Sequence, residues 1–201
     1  MNNVANHVAK PRLRCEPLAI GHLDELASVL LHPQVYAYLG ESPPSVEVFK
    51  LGLSRALQGP GPSAAGQMWL NYLVRAADSG DMLGRLEATV HDGLAEVAFL
   101  FAPQHWGQGL ATEGLLWLHG EIAKVSGVSA FWATTVVQNT RCQALLGRCG
   151  YVAAQLPAFG LLSYDAGDLV FALRGDPKPA VGGCASSVGG KQSIDHVFQA
   201  L

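Results

Sequence analysis

Charge is scarce in this chain. Asp, Glu, Lys and Arg make up 14% of its 201 residues, against about a quarter in an average soluble domain. A hydrophobic share of 49% excludes a largely disordered protein, which combines low hydrophobicity with high charge. The 13 basic residues are outnumbered by 16 acidic ones, for a net charge of -3, so the basic footprint of a nucleic-acid binder is missing. Apolar runs are short too. None approaches the roughly 18 residues of a membrane helix, and the opening MNNVANHVAK lacks the apolar segment of a secretory signal. Cysteine is thin: Cys15, Cys142, Cys149 and Cys184 form no CxxC pair, and with the histidines they make no metal-ligand spacing. A chain of this length buries roughly 70% of its unfolded surface in one core, so no disulfide or metal staple is needed. A soluble protein of the reducing cytoplasm is the expectation.

The organisation follows from composition and period. Residues 1–10 read as a flexible N-terminus, 11–175 as one domain, and 176–201 (DPKPAVGGCASSVGGKQSIDHVFQAL) as a flexible Gly/Ser/Pro-rich tail, too poor in apolar surface to offset its ordering entropy. Within the domain, residues 12–18 (RLRCEPL) open with strand-like alternation. Leu23, Leu26, Ala27 and Leu30 fall on one helical face. A second helix is predicted over 45–58, with Ser45 as N-cap and Val48, Leu51 and Leu57 among its apolar positions. Residues 68–75 and 82–90 predict a hairpin turned at Asp78-Ser79-Gly80-Asp81, and His91-Asp92-Gly93 turns the chain again into a strand at 95–101. Next come a Gly-rich turn, a helix over 112–125, a strand over 130–137, a helix over 139–149, and two strands near Tyr151 and over 168–173. The helical stripes are Ala111, Leu115, Leu118, Ile122 and Val125, then Cys142, Leu145, Leu146 and Cys149. The order is α+β with a mixed sheet, hairpins preceding one strand-helix-strand crossover.

The chemistry concentrates in residues 95–118, AEVAFLFAPQHWGQGLATEGLLWL. With 23 glycines, roughly two or three chance G-x-G copies are expected, so the motif needs structural context. Here the context is a strand before it and a helix after it. Glycines at such a junction let the backbone approach a ligand, and the first-turn amides of the helix favour an anion. A plain tight turn is the equal alternative. The segment lacks a G-x-x-x-x-G-K-[ST] phosphate loop, and its glycine spacing is incomplete for a dinucleotide fold. Glu96 stands among Val97, Ala98, Phe99, Leu100 and Phe101. Burial there would raise its pKa, as suits a general base. The alternative is an ion pair with an arginine such as Arg85. Asn139 reads as an N-cap or as an amide reaching a ligand. His105 beside Trp106 reads as loop packing, and no nucleophile elbow is present.

Together these pieces resemble the GNAT superfamily of acetyl-CoA-dependent N-acetyltransferases, and within it the branch containing the ribosomal-protein N-terminal alanine acetyltransferases. The resemblance spans residues 12–174 and rests on HWGQGLATEG, on RLRCEPL followed by a helix and HPQVYAYLG, on AEVAF, and on NTRCQALLGRCGY. It implies a mostly antiparallel mixed sheet of about six to seven strands with about four helices and splayed central strands. It also implies acetyl-CoA as co-substrate. The pyrophosphate would lie on Gln104, His105, Trp106, Gly107, Gln108 and Gly109 with Ala111 and Thr112, and the pantetheine arm beside Phe99, Leu100 and Phe101 and near Asn139. Cys142 stands where the branch places a serine near the departing sulfur, and Leu146 where many members carry an acidic tyrosine; Tyr151 and Tyr164 are substitutes by type only. Glu96 matches a position that some members use for the general base. The implied partner is an amine acceptor, a protein N-terminus or a small molecule. No metal, nucleic acid or membrane is called for, and a homodimer is left open. A non-catalytic acyl-CoA-binding module is the reading from another class. A cationic acceptor would call for an acidic mouth, for which Glu41, Glu47, Asp165 and Asp168 are placed to serve.

Overall fold

Period-two alternation becomes seven strands, and the helical stripes become the layers that cover them. A computed structural model of the chain describes residues 11–40, 42–125 and 127–174. The expected flexible ends and Glu41 lie outside the described residues. The strands are β1 (Leu13–Pro17), β2 (Met68–Ala76), β3 (Met82–His91), β4 (Leu94–Phe101), β5 (Ala130–Thr135), β6 (Val152–Ala154) and β7 (Leu169–Arg174). They form one mixed sheet in the order β1-β2-β3-β4-β5-β7-β6. Only β4 and β5 are parallel, and a helix crossover joins them, as parallel neighbours require. The helices are α1 (Leu23–Leu30), α2 (Pro33–Tyr36), α3 (Val46–Gln58), α4 (Leu110–Ile122) and α5 (Thr140–Arg148). The fifth helix, beyond the four expected, is the single turn α2, which Pro33 starts and the His32 side chain caps.

One face of the sheet packs Leu86, Ala88, Val97 and Phe101 against Leu115, Leu118 and Ile122 of α4, Leu145 and Leu146 of α5, and its C-cap Cys149. Both predicted stripes are therefore core. The other face packs Leu73 and Met82 against Leu26 and Leu30 of α1 and Phe49 and Leu53 of α3. For α3 the predicted stripe is corrected: Val48 and Leu51 are 46% and 53% exposed, while Phe49, Gly52 and Leu53 face inward. Apolar residues surround this helix on more than one side, so the sheet it lies on, not its own period, selects the face. Both hairpins form as expected, the second through Asp92 at φ 46° and Gly93 at φ 76°.

Arg75 pins α1 to the sheet edge. Its Nε donates to Glu16 at 2.9 Å, while Nη1 and Nη2 donate to the two oxygens of Glu25 at 2.8 Å each. These bonds to Arg75 are the main reason both carboxyls sit below their ordinary value. Groups whose folded pKa is lowered contribute stability above the unfolded carboxylate range and lose it as pH falls through the folded value. Arg75→Met is expected to cost about 2 kcal/mol near pH 7. Thermal melts of both proteins at pH 7 and at about pH 3 should show the difference shrinking in acid, because the partners are then protonated.

Candidate active site

The sheet opens where its two central strands separate. β4 and β5 pair only through Leu94–Ala130, Ala95–Phe131 and Glu96–Trp132, although β4 continues to Phe101 and β5 to Thr135. Past Glu96, no strand among the described residues pairs with β4 on that side, and Ala98, Phe99 and Leu100 become half-buried. The unpaired flank of a strand is a ready template for another extended chain.

The Gly-rich turn lies at the open end of β4. A short 3-10 turn, Pro103–His105, uses the amides of His105 (to Ala102 O, 3.0 Å) and Trp106 (to Pro103 O, 3.1 Å). Those two amides are not available, which narrows the expected cradle. From Gly107 through Thr112, six consecutive amides find no acceptor among the described residues, and Glu113 is the first to be satisfied, by Gly109 O at 3.1 Å. Gly107 and Gly109 hold φ at 74° and 76°, a region that side-chain-bearing residues avoid. Gly109 in this conformation serves as the N-cap of α4. Without a capping side chain to mark it, the helix begins at Leu110, earlier than predicted. A run of unengaged amides at the start of a 13-residue helix suits an anion. The Thr112 hydroxyl, on that first turn, is buried without a partner.

Residues that sequence reasoning left out brace this turn. Arg12, at the threshold of β1, donates through Nη1 to Gln108 O at 2.9 Å and through Nε to Glu113 at 2.8 Å, while its amide donates to the same carboxylate at 3.0 Å. The Trp106 indole donates to Phe101 O at 2.7 Å, and the Arg141 guanidinium stacks 5.1 Å from its ring centre. That stack brings the first turn of α5 against the Gly turn. Asn139 caps α5, accepting from Cys142 N at 3.1 Å, so the N-cap reading holds for its oxygen. Burial pushes the Cys142 thiol up to about 11, which keeps it protonated. Tyr151 is buried in the core with its hydroxyl 2.8 Å from His119 Nε2, and Leu146 is fully buried. Tyr164 lies in the connection before β7.

The carboxylates depart most from expectation. Glu96 is buried, but its pKa is lowered, not raised. Loss of water pushes it up, and bonds from His91, Ser163 and Leu162 more than reverse that. Oε1 accepts from His91 Nε2 and Leu162 N, both at 2.7 Å; Oε2 accepts from Ser163 N at 2.8 Å and Ser163 Oγ at 2.5 Å. Nor is Arg85 its partner. Arg85, 1% exposed, bonds Glu87 on its own strand and Asn71 Oδ1 at 3.0 Å on β2. Glu87, which no sequence signal singled out, is pushed up to about 7 by its loss of water, which Arg85 only partly offsets.

Two cavities meet at Glu87. A slot of about 20 Å³ lies between Glu87 and Glu96, bounded by Thr89, Ala98 and Ser163; it has room for about one water. A chamber of about 340 Å³ lies beneath the end of α3 and the 59–67 connection, against Trp69, Asn71, Glu87 and Thr89. Neither is lined by Glu47, Asp165 or Asp168, and the chamber carries Arg55. Among the described residues no helix is long and apolar enough to cross a membrane, and no group of three or more His, Cys, Asp or Glu is arranged to hold a metal ion.

Residues 12–152 match the family described as the Acetyltransferase (GNAT) domain. No curated protein matches by sequence. Among solved structures, an acetyl transferase of Salmonella typhimurium that modifies the N-terminal serine of 50S ribosomal subunit protein L7/L12 is similar, with a TM-score of 0.67 at 17% identity, over 83% of this chain and 97% of that one. A GNAT-family acetyltransferase from Bacillus anthracis has a TM-score of 0.64 at 14% identity, over 82% and 95% of the two chains. Spermidine N-acetyltransferase from Vibrio cholerae, in complex with CoA and spermine, has a TM-score of 0.63 at 16% identity, over 81% and 95%. At such identities the likeness is one of fold alone. With the family match extending over most of the described residues, the chain belongs to the GNAT family of acetyltransferases.

Proposed function

We infer that this enzyme transfers an acetyl group from acetyl-CoA to a primary amine, with the α-amine of a protein or peptide as acceptor. The observation that carries the reading is the run of unengaged amides from Gly107 to Thr112 at the open end of β4. A pyrophosphate would be held there by hydrogen bonds and the helix dipole without any lysine. The partnerless Thr112 hydroxyl fits the same group. Gln104, His105, Trp106 and Gln108 shape the approach, with Ala111 on the first helical turn. The unpaired backbone edge along Phe99, Leu100 and Phe101, half-buried at the first two, would take the pantetheine arm as an added strand, with Asn139 and Cys142 across the opening. Acetyl-CoA supplies an activated acetyl group as a thioester. The chain's own residues hold it, exclude water and accept a proton.

The acceptor chamber supports the α-amine over a polycation. It sets one carboxylate, Glu87, among Arg55, Gln67 and Asn71. Those donors suit the carbonyls that follow an N-terminal amine, whereas Arg55 repels a second cationic centre. The test is a screen of acetyl-CoA against N-terminal peptides, polyamines and aminoglycosides, read by mass shift and by released thiol. Peptides acetylated at the α-amine are the expected products. Preference for a polyamine would replace the acceptor class. Tight acetyl-CoA binding with no acceptor-dependent thiol would reduce the protein to a binding module.

A further inference from the structure

We propose that Glu87, on β3, is the residue that accepts the proton of the acceptor amine, and that the acceptor reaches it through the chamber beneath the end of α3. The proposal rests on the acetyl-transfer reading above and deepens it.

Position comes first. Directly paired residues of antiparallel strands share a face. The pairs Asn71–Glu87 and Glu87–Ala98 therefore set one row across β2, β3 and β4, and Trp69–Thr89 and Thr89–Glu96 set the next. Glu96 is the last β4 residue paired to β5. The Glu87 row is thus the first to face the stretch where β4 and β5 have parted. Glu87 and Thr89 both border the slot beside Glu96 and the chamber, and of the two only Glu87 carries a group that can take a proton.

Availability comes second. Both oxygens of Glu96 are filled by four donors, leaving its lone pairs committed to the 162–163 connection. Glu87 uses Oε2 on Arg85 and leaves Oε1 without a partner. Of the five buried side-chain polar atoms without partners among the described residues, four belong to this one cluster: Tyr36 Oη, Arg85 Nε, Arg85 Nη1 and Glu87 Oε1. Buried polar groups are normally paired. Such a concentration on the acceptor side of the sheet marks a place that a polar molecule or water completes. A carboxyl whose loss of water sets its pKa at about 7 is matched to taking a proton near neutral pH.

The step balances as follows. The neutral nitrogen gives its lone pair to the acetyl carbonyl carbon, and the carbon–sulfur bond breaks with its electron pair on sulfur. The surplus proton on nitrogen passes to Glu87, through the one water the slot has room for; the thiolate takes a proton from solvent to leave as thiol, and Glu87 gives its proton back to solvent. The sum is amine plus thioester to amide plus thiol.

The groups around Glu87 are Arg85 on its own strand, Tyr36 from α2, Arg55 from α3, and Glu96 with its partner His91. His91, whose pKa is also raised, is the other group able to give an acid limb; a limb from His91 shifts when its partner is changed in Glu96→Gln, whereas a limb from Glu87 disappears in Glu87→Gln. The experiment measures kcat against pH, with saturating acetyl-CoA and an alanyl tripeptide or the best acceptor of the screen, for wild type and for Glu87→Gln, Glu87→Asp and Glu96→Gln. Calorimetry gives the acetyl-CoA Kd of each. The wild-type kcat should fall below about pH 7. Glu87→Gln should lose kcat on the order of a hundredfold, together with that limb, while acetyl-CoA Kd stays within about twofold. Glu87→Asp should keep a limb at partial rate. A Glu87→Gln enzyme with a normal kcat, or a limb unchanged in both Glu87 variants, overturns the proposal while leaving the transferase reading intact. Should Glu87→Gln fail to bind acetyl-CoA, the Glu87→Asp profile decides. A wild type that acetylates no amine defeats both readings.

Discussion

Glu96→Ala is expected to lower thermal stability more than any other single change at the site, by about 3–5 kcal/mol, or roughly 10 °C in Tm for a domain of this size. Removing the carboxylate strands four donors at once: the amides of Leu162 and Ser163, the Ser163 hydroxyl and His91 Nε2. Each loses a charge-assisted acceptor, and a buried donor without a partner costs its full desolvation. The connection before β7 is then free to leave β4. Glu96→Gln, which keeps the size and one oxygen, should cost less. The pH dependence carries a sign. Glu96 has a lowered folded pKa, so its contribution is present above the ordinary carboxylate range and disappears as pH falls through the folded value. His91 has a raised one, so its contribution is full below the ordinary imidazole value and disappears as pH rises through the folded value. The pair is complete only between these limits. Scanning Tm against pH checks it: the wild type should lose stability on both flanks, and Glu96→Ala should be flatter on both. A variant as stable as wild type would remove Glu96 from the account of how this loop is held.

Gly107→Val and Gly109→Val are expected to weaken acetyl-CoA binding by tenfold to a hundredfold while lowering Tm by only a few degrees. Both glycines hold φ near 75°, and a β-branched residue there costs on the order of 1–3 kcal/mol. The strained turn relieves itself by rotating peptide planes, and those planes carry the unengaged amides. At 1.4 kcal/mol per decade of affinity, the loss appears in the acetyl-CoA Kd. Stability suffers less because a Cβ on Gly107 meets nothing within 4 Å, and one on Gly109 meets only the flexible end of Arg12 at 3.5 Å. Calorimetry and thermal melts on the same samples separate the outcomes. An unchanged Kd with a lower Tm would mean that the turn only joins a strand to a helix.

The local architecture was legible because each element carries its own period and its own punctuation. Asp and Gly residues marked both hairpin turns, and i, i+3, i+4 spacing marked the core stripes of α4 and α5. The match between HWGQGLATEG and the turn after β4 likewise needed no contact information. Legibility ended where one element had to be chosen by another. The face of α3 was misread because Val48 and Leu51 are as apolar as the buried Phe49 and Leu53, and only the sheet beneath selects between them. The start of α4 was placed late because Gly109 caps it with a left-handed backbone and no side chain.

The carboxylates draw the line most sharply. From its apolar strand, Glu96 could be recognised as buried, and burial alone pushes a carboxyl up. Its actual direction is set by two backbone amides and a hydroxyl from residues 162 and 163, far along the chain, and by a histidine across the turn. Glu87 carried no mark at all, since Arg-x-Glu on an alternating strand reads as a solvated face until α3 and the 59–67 connection cover it. Family, the succession of the seven strands and the turn suited to an anion are legible in the residues, because these rest on local period, local dihedral preference and a contiguous motif. Tertiary structure alone decided which carboxylate is spent on holding a loop and which is left with a free oxygen. A pKa is set by the water a group loses and the donors it meets, and both come from parts of the chain that only folding brings together.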